Sequence, residues 1–139
     1  MKNPIFILLA LLLINCTSDD AKPKIDNPEL LGKWRVIEQL ADPGDGSGTF
    51  QPISSNRTVE FFSNGTVTAS GTLCFMGTEN NSGSGTFVLD SESGLNEGEI
   101  TPNDCNPDFY RISFEIESSN LILWYPCIEG CGEKFVKIL

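Results

Sequence analysis

The chain contains no histidine. That excludes Ser-His-Asp and Cys-His nucleophilic schemes, imidazole general bases and histidine-bearing metal sites. Positive charge is scarce: nine Lys and Arg stand against nineteen Asp and Glu, for a formal net charge of −10. Phosphate backbones repel so acidic a chain, which argues against nucleic acid as a partner. No hydrophobic run reaches the roughly 20 residues that a membrane-spanning helix needs. Beyond residue 29 no segment holds apolar residues at i, i+3, i+4 and i+7 for three turns, so a helical architecture is excluded there. What remains of 139 residues, 40% hydrophobic and 20% charged, is one globular domain with a short appendage.

The appendage comes first. Lys2 precedes an unbroken apolar run, Ile5 to Ile14 (IFILLALLLI), that ends at Asn15. Its length and positive flank are those of a signal-peptide hydrophobic region, and continuous apolarity leaves no polar face for a buried amphipathic helix. Leu13-Ile14-Asn15-Cys16 resembles the lipobox of bacterial lipoproteins. The resemblance implies cleavage after residue 15 and acylation of Cys16, and three acyl chains exceed what stable membrane anchoring requires. The acidic pair Asp19-Asp20 is similar to the export signal that sends some lipoproteins to the outer face of the outer membrane. Residues 16–28, with Pro23, Pro28 and alternating charge, read as a hydrated tether. The chain thus divides into a signal peptide (1–15), a lipidated tether (16–28) and a folded domain (29–139). Membrane contact through lipid on Cys16, in an outer membrane and facing the cell surface or the periplasm, is the expected localisation.

With Cys16 assigned to lipid, Cys74, Cys105, Cys127 and Cys131 remain. Four cysteines in an oxidising compartment imply two disulfides with three connectivities open, and we expect Cys74–Cys105 and Cys127–Cys131. Zinc is disfavoured, because Cys74 and Cys105 lack the short spacing of such sites.

Within the domain the apolar period is two. Strands are expected over Gly32–Leu40, Arg57–Phe62, Thr66–Gly71, Thr86–Asp90, Gly98–Thr101, Phe109–Glu117, Leu121–Tyr125 and Glu133–Ile138. Ser63-Asn64-Gly65 is a turn in which Asn and Gly tolerate positive φ. The clearest strand directs Tyr110, Ile112, Phe114 and Ile116 to one face and Arg111, Ser113, Glu115 and Glu117 to the other. The apolar run Leu121–Tyr125 needs cover on both faces, from the core on one side and a loop or partner on the other. Eight short strands in hairpin order predict an all-β, antiparallel, up-and-down barrel or a two-sheet sandwich.

Leu31-Gly32-Lys33-Trp34 resembles the G-x-W opening of lipocalins. A long first loop from Leu40 to Ile53, then R-T-V-E-F, a Ser-Asn-Gly turn and a final C-x-x-x-C-G-E-K-F-V-K strand extend the pattern over about residues 29–139. Together they are similar to the small lipocalin-like domains of bacterial outer-membrane lipoproteins. The resemblance implies an eight-stranded barrel with Trp34 plugging its closed end. Candidate ligand contacts are then Trp34, Phe50, Tyr110, Ile112, Phe114 and Ile116, with Phe50 packing over the barrel mouth. So small a barrel has room for side chains or for one small ligand, so any cavity should be small, shallow or near the Gly44–Gly48 loop.

Two stretches invite a chemical reading. Asp42-Pro43-Gly44-Asp45-Gly46-Ser47-Gly48 suggests a calcium loop or phosphate cradle, but the twelfth residue from Asp42 is Ile53 rather than Glu, and no Gly-Lys-Ser/Thr follows. It reads as a flexible loop. Asp90, Glu92, Glu97 and Glu99 could pair two carboxylates for glycoside hydrolysis or bind calcium, yet nothing fixes their spacing. The glycosylation sequons at Asn56, Asn64 and Asn80 matter only in a eukaryotic secretory route. We therefore expect no catalytic residues, no metal and no cofactor. The expected function is a lipid-anchored, non-catalytic binding module for a small apolar ligand. The alternative is a structural or protein-interaction lipoprotein with a filled barrel, and a carboxylate hydrolase comes last.

Overall fold

The computed structural model describes residues 24–77, 81–90, 92, 96–106, 108 and 110–139. The apolar leader, Cys16, Asn80 and Phe109 lie outside them. Nine strands follow one another: β1 (Gly32–Ala41), β2 (Gln51–Pro52), β3 (Thr58–Phe61), β4 (Thr66–Ser70), β5 (Ser82–Leu89), β6 (Glu97–Pro102), β7 (Ile112–Glu117), β8 (Asn120–Trp124) and β9 (Cys131–Ile138). Their order in the sheet is β2-β1-β3-β4-β5-β6-β7-β8-β9, every ladder is antiparallel, and β1 also pairs with β9. Eight strands thus close into an up-and-down barrel, and β2 is a two-residue ribbon laid on β1. No helix occurs among the described residues. The all-β barrel expected from the period of two is the fold observed.

A register shift between Val36 and Glu38 divides β1. Its first half pairs with β3, from Gly32 opposite Phe61 to Arg35 opposite Thr58; past the irregularity Glu38 and Gln39 pair with Pro52 and Gln51 of β2. A bulge bends its strand locally, and the bend lets the long first loop return along β1.

Alternate residues fill the interior. Trp34 and Val36, Val59 and Phe61, Val67 and Ala69, Phe87, Ile100, Ile112 and Phe114, Leu121 and Leu123, and Phe135 are all buried in one cluster. Phe61, Phe87 and Phe114 meet edge to face, with centroids 5.0, 5.4 and 6.1 Å apart. Such pairs add about 0.5–1.5 kcal/mol each beyond their area burial. Gly98, directly opposite Phe114, leaves room for that ring: a Cβ there would come within 2.6 Å of it.

The two ends are closed differently. At the end where β1 begins, the Ile25 N–H donates to the Ser63 carbonyl, and Asn27 Oδ1 accepts from the Glu29 and Leu30 N–H groups. This cap buries Leu30 completely and sets its carbonyl 2.8 Å from the indole N–H of Trp34. Trp34 closes this end as the G-x-W resemblance implied, and the packed chain reaches back to Ile25.

At the other end the β4–β5 connection sends Leu73 into the core. Gly83 admits it, because a Cβ at Gly83 would lie 2.8 Å from the Leu73 nitrogen. Disulfides Cys74–Cys105 and Cys127–Cys131 both belong to this end, in the expected connectivity.

Most strand ends fall within one residue of expectation, and three starts differ by more. β5 starts at Ser82 rather than Thr86, β9 at Cys131 rather than Glu133, and β7 at Ile112 rather than Phe109. Tyr110 therefore precedes its strand.

Candidate functional site

Of the six candidate ligand contacts, Ile112 and Phe114 lie in the packed interior. Tyr110 does not join that inward row; it is 38% exposed at the disulfide end. Phe50 does not cover a mouth. It rests on the outer wall, its ring 5.6 Å from that of Trp124 and close to Gly132, with Lys134 Nζ 4.5 Å from its centroid. Leu121, Leu123 and Tyr125 face inward, leaving Ile122 and Trp124 on the outer face, so the first loop supplies cover that this apolar run required. Trp124 also donates its indole N–H to Glu115, at 2.7 Å.

Trp34 and Ile116 do come together. With Pro28, Glu29, Asn96, Ser118, Ser119 and Lys137 they line a recess of about 410 Å³ at the Trp34 end. Lys137 lies opposite Trp34 in the β1–β9 ladder, its Nζ 5.2 Å from the indole centroid. Its ammonium donates to the Pro28 and Glu29 carbonyls, at 2.6 and 2.9 Å. Two of three donors are thereby taken. Desolvation pulls this amine below its ordinary pKa, against the opposing charge of Glu29.

The rim is strained. Ser118 and Ser119 form the two-residue turn between β7 and β8 with φ of 51° and 69°. Both central residues of such a turn need positive φ, which Asn-Gly supplies readily and serine does not. Residues held in sparsely populated backbone regions cluster at ligand clamps and active sites. The recess is therefore mixed in character, with Pro28 and Ile116 as its apolar part above the buried Trp34, one cation at its edge and hydroxyls on a strained lip. It has the chemistry to receive a small molecule with an apolar body and an acidic or carbonyl head.

The interior also holds an ionic cluster that sequence reasoning missed. Arg57 Nε donates to Glu133 Oε2 at 3.0 Å, and both side chains are wholly buried. The other guanidinium nitrogens donate to the Gly77 and Thr72 carbonyls, at 2.8 and 2.7 Å. Tyr125 donates to the same Glu133 oxygen at 2.6 Å, and Gln39 donates to the other at 2.8 Å. Burial works against the charge on Arg57, but Tyr125 and Glu133 more than offset it and hold the guanidinium above its usual value. No buried polar side-chain atom among the described residues lacks a partner, and through Thr72 and Gly77 the cluster fastens the β4–β5 loop into the barrel. Its one sequence signal was the alternation itself: Arg57 is two residues before inward Val59, and Glu133 two before inward Phe135.

The loop from Asp42 is occupied by itself. Asp42 Oδ1 accepts from the Gly44, Asp45 and Gly46 N–H groups and Oδ2 from that of Gly48, at 2.7–3.1 Å. These bonds, that of Gly48 foremost, hold the Asp42 carboxyl below its ordinary pKa. The nest of amides that a phosphate would need encloses the loop's own carboxylate, and that carboxylate's oxygens are already engaged.

Of the acidic run, Asp90, Glu97 and Glu99 border a shallow outer recess of about 290 Å³ together with Glu115 and Trp124. Glu99 is paired with Arg111 at 3.1 Å. No family of known proteins matches this chain, and no curated protein is detectably similar to it.

Proposed function

We propose that this protein is a non-catalytic binding module of the bacterial cell envelope, anchored by lipid on Cys16, that holds a small amphipathic ligand in the recess beside Trp34. The recess carries the reading: it is the place where two of the candidate contacts, Trp34 and Ile116, meet a cation. A fatty acid is the simplest ligand of that chemistry, its tail against Ile116 and its carboxylate toward Lys137.

A thermal-shift titration of the full-length chain in detergent, with fatty acids, retinoids, quinones and haem, tests it. A ligand at a hundred times its Kd should stabilise the fold by about 2.7 kcal/mol. Ile116→Trp should fill the recess and abolish the shift. Lys137→Met should weaken fatty acids while sparing neutral retinoids. No saturable shift with any of the four classes overturns the ligand reading. Retention of Cys16→Ala in the membrane overturns the anchor separately.

A second reading, a protein-interaction lipoprotein with a filled barrel, draws on the aromatic packing of Phe61, Phe87 and Phe114.

A further inference from the structure

The disulfide end of the barrel presents large apolar side chains to water. Ile128 is 100% exposed, Phe75 50% and Tyr110 38%, and each stands on a different loop. Apolar side chains on mobile loops ordinarily fold back onto the nearest apolar surface. Here covalent bonds restrict that. Cys127–Cys131 brackets Ile128, and Cys74–Cys105 joins the loop of Phe75 to the loop that leads to Tyr110. Tyr110 and Cys127 each lie three residues beyond the Ser113–Trp124 pair, so the β7–β8 ladder brings those two loops side by side. Pre-ordering of exposed anchors lowers the entropic cost of association and is a property of docking surfaces.

Charge selects the occupant. Asp104 and Asp108 are exposed on the loop of Tyr110, and Glu129 on that of Ile128. The basic groups among the described residues there are engaged elsewhere, Arg57 in the buried cluster and Arg111 with Glu99. Anionic lipid headgroups would be repelled, whereas a basic protein surface would be steered in. We propose that this end docks a protein partner through a segment that is both basic and apolar. The proposal deepens the protein-interaction reading, and it fits the expected anchor. The described chain enters at the opposite end, where Ile25 bonds to Ser63, so an anchor upstream of it would not itself cover these loops.

The probe is a synthetic amphipathic helix of lysine and leucine, read by fluorescence anisotropy against the purified full-length chain. Its glutamate–leucine counterpart and vesicles of phosphatidylcholine with phosphatidylglycerol serve as comparators. Saturable binding of the lysine peptide should weaken about tenfold with Ile128→Ser and again with Glu129→Lys, as for anchor and charge losses at a hot spot. Val88→Ser, an exposed apolar site on the outer wall, should leave it unchanged. Ile116→Trp should also leave it unchanged, which separates this surface from the recess. Absence of binding, equal binding to all variants, preference for the glutamate peptide, or capture of vesicles in place of peptide overturns the proposal.

Discussion

Tyr125 shows what a single buried hydroxyl costs and secures. Burial first, then the negative charge of Glu133, raise its pKa well beyond the ordinary range, against the pull of Arg57. The folded state therefore holds this proton more tightly than the unfolded chain does. Its contribution to stability is complete below the unfolded value, about pH 10, and is lost as pH rises toward the folded one. In a Tyr110→Phe background, the phenolate absorbance of Tyr125 should consequently appear together with loss of the far-ultraviolet β signal, in one transition. Phenolate formation in a chain that keeps its fold would show that Tyr125 is less enclosed than described. Arg57 has a similar dependence on Glu133, since removing one member of a buried ion pair strands the other at a cost of about 3–5 kcal/mol.

Elements carry the next lesson, and the turn between β7 and β8 states it most sharply. Each serine held at positive φ costs on the order of 1 kcal/mol or more. Replacing Ser118-Ser119 by Asn-Gly should raise stability by about 1–2 kcal/mol in thermal or urea unfolding. If the serine hydroxyls contact ligand, the same variant should bind less well, which is the usual exchange between stability and function at a strained site. An unchanged or lowered stability would mean that the serines make compensating contacts. The ladders around this turn were legible because Ile112, Phe114 and Ile116 alternate with Ser113, Glu115 and Glu117, a pattern with one physical solution. β5 was half hidden. Its inward positions Gly83 and Gly85 carry no side chain, so the stretch has the composition of a linker although it is a paired strand. β9 was shortened by two residues for a related reason: Gly132 is a buried position without a side chain, so Cys131-Gly132 has the composition of the preceding loop. Half of the recess was equally invisible. Pro28, Glu29, Asn96 and Lys137 have no motif in common and converge only when the barrel closes.

At the scale of the whole molecule, Cys74–Cys105 ties the β4–β5 loop to the β6–β7 loop across 31 residues of chain. In the chain-entropy account a loop of that size contributes on the order of 3–4 kcal/mol, against about 2 for the short Cys127–Cys131 loop. Cys74→Ser/Cys105→Ser should therefore destabilise the barrel by more than Cys127→Ser/Cys131→Ser does in equilibrium urea unfolding; the reverse order would place the stabilisation in local packing. The ladders otherwise join strands that are consecutive in the chain or separated only by the two-residue β2. The exception is the seam between the first long strand and the last, where β1 meets β9 over eight residue pairs, from Lys33 with Ile138 to Ala41 with Cys131. A ring that shuts only with its final segment has a timing built into it. Trp34 and Val36 wait for Phe135, and Gln39 waits for Glu133, while more than ninety intervening residues are made. Long-range closure of that kind is slow to nucleate. A nascent chain without its last strand has two open sheet edges and an unsealed core. Such a chain cannot complete its barrel until β9 has been made and has paired with β1.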